Sequence, residues 1–173
     1  MEELNKLYLA VGWFESARYD DNTPVAGVMA VQEFGSTKLG IPPRPALRNG
    51  ITDNISEWKT LIKQLSKSIL NGADTAETAM EKMGLRISGQ LRKSIANLKA
   101  PPLSPVTIAL RKYRRDNPQA KIGKGFVNTV RQAVAEGKTG RGELGDQSFG
   151  NKNPLDDSGY AIASLTYKVG KGE

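Results

Sequence analysis

"ITDNISEWKTLIKQLSKSILNGADTAETAMEKMGLRISGQLRKSIANL", residues 51–98, decides the fold. Ile51, Ile55, Trp58, Leu61, Ile62, Leu65 and Ile69 recur at spacings of three and four, with Lys and Ser opposite, which is the pattern of an amphipathic helix. "NGAD" (71–74) interrupts it, and Asp74 with Glu77 has the spacing of a capping box, Asp standing in the usual Ser/Thr place. A second stripe follows, Ala76, Met80, Met83, Ile87, Leu91, Ile95 and Leu98, and stops before Pro101 and Pro102. A link this short forces antiparallel neighbours, so residues 51–98 read as a helical hairpin with both stripes in the core.

Working outward, the chain ends carry the opposite periodicity. "LYLAVGWF" (Leu7–Phe14) alternates with strand-forming residues on both faces, as in a well-buried strand. "YAIASLTYKV" (Tyr160–Val169) alternates too, with Ala161, Ala163, Leu165, Tyr167 and Val169 on one face. The two strands are expected to pair. The fold class is therefore α+β: a small antiparallel-type sheet of the N- and C-terminal strands, packed on the hairpin, with extended loops. Residues 1–173 are read as a single domain. Between these parts, Thr23 and Pro24 read as cap and first position of a short apolar helix ended by Gly35, with a strand as the alternative because of the valines and Gly27. Ser104 and Pro105 open one or two basic helical turns. Phe126, Val127, Val130 and Val134 mark a short amphipathic helix closed by Gly137.

Composition removes several kinds of chemistry. The chain has 173 residues, no cysteine and no histidine, so disulfides, thiolate chemistry and the usual neutral-pH proton shuttle are excluded. Glu2, Glu3, Glu15 and Asp20 leave no cationic start leading into an apolar signal core, and no run approaches the roughly 20 apolar residues of a membrane span, so a soluble protein without membrane contact is expected. "EGKTG" resembles part of a phosphate loop, but Gln132 stands where that loop needs a glycine. Asp146, Asp156 and Asp157 offer carboxylates to a metal, yet adjacent acids before Ser158-Gly159 fit a turn better. The chain reads as a non-enzyme without cofactor or metal.

Charge is unevenly spread. Residues 1–98 carry 12 Lys+Arg against 11 Asp+Glu, whereas residues 99–152 carry 11 against 4, so the second segment accounts for the formal +7 of the chain. Arg111, Lys112, Arg114 and Arg115, followed by Lys121 and Lys124, form its densest part and suit a polyanion or an acidic protein surface. Residues 117–153 are expected to be a basic, Gly-rich mobile arm. A basic nucleic-acid-binding module is the alternative function on this ground.

The remaining stretch, "AVQEFGSTKLGIPPRPALRNGI" (Ala30–Ile51), sets three prolines around one arginine. With the "VGWFE" before it, this run resembles the tail-completion, or virion morphogenesis, proteins of tailed bacteriophages. The match is carried by Val11, Gly12, Ala30, Glu33, Phe34, Gly35, Ile41, Pro42, Arg44, Pro45, Leu47 and Arg48. "PLSPVTIALRK" and "NPLDDSGYAIASLTYKV" are similar to the family's later segments. Ala46 stands where the family has Phe, Ser36 and Thr37 replace a Gly-Thr step, and Ser158 replaces Thr. The resemblance implies a virion structural protein of the neck, assembled in the host cytoplasm. It would form a ring, expected to be a hexamer, joining the head–tail connector or adaptor to the tail terminator or tail tube protein. Weak contact with genomic DNA in the channel is a further expectation. The elbow 35–48 is then a docking loop, with Glu33, Phe34, Gly35, Pro42, Arg44, Pro45 and Arg48 as partner-binding residues and Arg44 on the surface.

Overall fold

The computed structural model describes residues 7–137, 154–155 and 158–172. Their contacts gather the chain into two compact units, one of Met1–Leu98 with Ser158–Glu173 and one of Lys99–Asp157.

The first unit is α+β, as its periodicities predict. Strand β1 (Leu7–Gly12) pairs antiparallel with β2 (Thr166–Lys171), in register from Leu7↔Lys171 to Gly12↔Thr166. Between them run α1 (Val25–Phe34), α2 (Ala46–Leu70), α3 (Ala76–Asn97) and a one-turn helix, here named α6, at Tyr160–Ser164. A two-stranded ribbon is marginal alone, and it is held here by α3, which packs on both strands as well as on α2. Two glycines make those approaches possible. A Cβ on Gly84 would lie 2.3 Å from the Tyr167 ring, and one on Gly50 would lie 2.9 Å from Ser94 Cβ. Hydrogen bonds stitch the hairpin: Ser94 Oγ donates to the Ala46 carbonyl at 2.7 Å, and Trp58 Nε1 to Gln90 Oε1 at 2.6 Å.

Several local expectations are corrected. β1 is half-buried rather than well buried, because only one face of a two-stranded sheet meets α3. Tyr160–Ser164 is helical, and the strand starts at Thr166. Ala161 and Ala163 satisfy an alternation count, but alanine is the best helix former. Gly159 enters at φ 75°, and Trp13 Nε1 pins the turn by donating to the Ala161 carbonyl at 2.7 Å. Helix α1 starts one residue late, after Pro24, and Thr23 N is instead held by Asp21 Oδ1. At α3 the cap is Thr75, whose hydroxyl accepts from Thr78 N at 3.1 Å. Asp74 is occupied elsewhere, accepting from Ser68 Oγ at 2.7 Å and Lys82 Nζ at 2.6 Å.

The apolar stripe of α2 is only partly core. Ala46, Gly50 and Trp58 are buried, while Ile51, Ile55 and Ile62 are exposed. The seven stripe positions cover a wide arc of the helix, and α3 covers one side of that arc. The core is completed by Val25 and Met29 of α1, Leu91 and Ile95 of α3, and Leu165.

The second unit contains α4 (Pro105–Asp116) and α5 (Lys124–Ala135), packed together. Ser104 caps α4 as expected, its hydroxyl accepting from Thr107 N at 3.1 Å, with Pro105 at the first position. The helix runs 12 residues, longer than the expected one or two turns, since Leu, Ala, Arg and Lys all propagate helix well. Ala109 and Val130 are buried, and the Tyr113 and Phe126 rings meet at 4.3 Å. Residues 124–135 of the expected arm are thus a packed helix; residues 138–153 of that arm lie outside the described residues.

Candidate functional site

The elbow is built from the end of α1 and the start of α2. Helix α1 ends as Gly35 N donates to the Val31 carbonyl at 2.8 Å. Gly35 then takes φ 75° and ψ 176°, a conformation open essentially to glycine alone. A side chain there would also collide with the Pro43 nitrogen at 2.8 Å and the Ile41 carbonyl oxygen at 2.9 Å. The chain next makes a small hairpin, with Ser36 and Ile41 exchanging backbone hydrogen bonds at 2.8 and 2.9 Å around Thr37–Gly40. Pro42 and Pro43 return it to α2.

Pro45 precedes α2 and has no side-chain oxygen to cap it. Glu33, at the far end of α1, supplies the cap. Its carboxylate accepts from Leu47 N and Arg48 N, both at 3.0 Å, and from Arg48 Nε at 3.1 Å. Arg48 also donates to the Glu33 carbonyl at 2.8 Å. A negative charge at a helix N-terminus is favourable, and three hydrogen bonds satisfy a buried carboxylate that would otherwise be costly to bury. Glu33 is only 6% exposed.

Arg44 is 5% exposed, which corrects the expectation that it lies on the surface. Its backbone N–H donates to the Gln32 carbonyl at 2.7 Å and its guanidinium to Gln32 Oε1 at 3.0 Å. Pro45 follows in a tight turn at φ −76° and ψ 61°, across which Ala46 N donates to the Arg44 carbonyl at 2.8 Å. The seven residues assigned to partner binding therefore separate by position. Glu33, Gly35, Arg44 and Pro45 build the frame. Phe34 (70% exposed), Pro42 and Arg48 face out, with the Arg48 guanidinium 5.2 Å from the centre of the Phe34 ring.

The structure adds residues that sequence reasoning passed over. Leu39 is 64% exposed at the tip of the small hairpin, and Pro43 is exposed beside Pro42. A lone leucine in a polar turn closed by glycine was the available signal. On α2, Ile51, Ile55 and Ile62 share one face at spacings of four and seven and are likewise exposed.

The basic cluster lies in the second unit. Arg111 and Lys112 are half-buried, and Arg111 donates to the Pro154 carbonyl at 3.1 Å. Arg114 and Arg115, in the last turn of α4, are exposed, as are Lys121 in the connection and Lys124 at the first position of α5. Among the described residues no group of three acidic side chains could hold a metal ion, and no helix is long and apolar enough to cross a membrane. Asp146, Asp156 and Asp157 lie outside the described residues, as does most of "EGKTG". Comparisons with known protein families, with curated proteins and with solved structures give no match.

Proposed function

We propose that this chain is a virion structural protein of a tailed phage, a tail-completion or neck component that assembles into a ring, of six copies, between the head connector and the tail terminator or tail tube. The observation that carries the reading is the elbow. The run that resembles the tail-completion family folds into one unit whose Glu33, Gly35 and Arg44 are spent on holding its shape. That frame presents Phe34, Leu39, Pro42 and Pro43 to solvent. A pre-set apolar tip loses little conformational entropy on docking, which favours its use as a contact between subunits. The exposed isoleucines of α2 supply a second apolar strip for the neighbouring subunit or the tail.

Electron microscopy of the purified protein without nucleic acid tests this. Closed rings of identical copies are the expected result. A particle that stays monomeric at micromolar to millimolar concentration would contradict it.

A further inference from the structure

The two units differ in what they expose. Every large hydrophobic side chain exposed among the described residues belongs to the first unit. The described part of the second, residues 99–137 with 154–155, contains eight Lys and Arg against Asp116 and Glu136. None of its described large hydrophobic side chains is exposed, although Val106, Ile108, Leu110, Val127 and Val134 are only half-buried. Val130 is fully buried, Ala109 is 3% exposed, and Phe126 is packed against Tyr113. A protein partner would need an apolar centre to its interface, and α5 spends Val130 and Phe126 of its own apolar face inside the unit.

What faces out is charge. Arg111, Arg114 and Arg115 share one face of α4 at spacings of three and four, opposite buried Ala109. Arg114, Arg115, Lys121 and Lys124 are exposed, and none pairs with a described carboxylate. Lys124 also sits in the first turn of α5, where the positive end of the helix adds to its charge. Among the described residues of this unit no exposed aromatic ring accompanies these cations, because Tyr113 and Phe126 are half-buried against each other. Single-strand binding draws on such rings for base stacking, whereas contact with a duplex backbone needs only spaced positive groups.

We infer that the second unit is a sequence-independent binding surface for the phosphate backbone of duplex nucleic acid, carried by Arg114, Arg115, Lys121 and Lys124. The inference does not rest on the virion reading, because it concerns the free chain. Four phosphate contacts give a salt slope of about −3.6, so affinity falls roughly 10²-fold between 50 and 200 mM salt.

Fluorescence anisotropy of the full chain with a random-sequence 20-base-pair duplex reads this directly. The wild type binds at 50 mM salt with the slope above and binds an unstructured single strand of equal length more weakly. Replacing Arg114, Arg115, Lys121 and Lys124 together by Ala abolishes binding. The charge-preserving pair Arg114→Lys and Arg115→Lys retains it within a few-fold, which keeps the test usable if the alanine variant loses helix content. Replacing Lys59, Lys63 and Lys67 of α2 by Ala removes nearly as much charge from the other unit and leaves binding within a few-fold. The inference is overturned by any of three results: no duplex binding at 50 mM salt, an equal loss in the α2 lysine variant, or a polyglutamate probe binding as tightly through the same four residues.

Discussion

Glu33 performs at a distance what an N-cap side chain performs locally. Pro45 orders the entry to α2 but offers no acceptor, so two N–H groups of the first turn are satisfied from the end of α1. Replacing Glu33 by Ala leaves those donors and the Arg48 guanidinium without it, at a cost of roughly 2 kcal/mol. A shift of the urea midpoint with an unchanged m-value is the expected signature. Arg44→Glu is more severe, because it buries an acid where a guanidinium is paired with Gln32, and losses from breaking such buried contacts reach about 3–5 kcal/mol. Neither role is legible in the sequence. An acid and an arginine in a proline-rich run look like surface groups until the backbone folds them inward, and no periodicity encodes a cap reached across 14 residues.

At the scale of elements, the hairpin and its partners were legible because stripes of seven apolar positions survive local irregularity. The failures are local and have separate causes. Alternation in Tyr160–Val169 rests on alanines, which carry no strand preference, and the capping box at Asp74 competes with Ser68 and Lys82 for the same carboxylate. Those contacts make α2 and α3 sensitive to acid. The Lys82 ammonium, and then the Ser68 hydroxyl, hold the Asp74 carboxyl below its ordinary range. Arg86 and then Gln90 do the same for Glu57 across the hairpin. A lowered folded-state pKa contributes stability that is present above the unfolded carboxylate range and is lost as pH falls through the folded value. The wild type should therefore lose more of its melting temperature between pH 6 and pH 3 than a Glu57→Gln, Asp74→Asn double variant. Glu57 is exposed and the Lys82 partner of the more enclosed Asp74 is exposed, so the difference is small and shrinks in salt. Parallel pH profiles for the two proteins would contradict the assignment.

For the whole molecule, the sequence showed two chemistries and the structure assigns them to two units. The charge imbalance across residue 99 could be counted directly, and it coincides with the boundary between the units. Which apolar residues stay in water could not be counted, since Ile51, Ile55 and Ile62 belong to the same stripe as buried Trp58, and exposure depends on how much of α2 its neighbours cover. The apolar surface, Phe34 and Leu39 with the α2 isoleucines, is the part assigned to assembly, and it is separable from folding because these side chains are already exposed. Sedimentation velocity of a Phe34→Ser, Leu39→Ser variant beside the wild type tests that assignment most directly. A wild type that sediments as a closed oligomer and a variant that sediments as a monomer, with melting temperatures within about 2 °C of each other, is the predicted result; a variant that forms the same oligomer as the wild type would contradict the account.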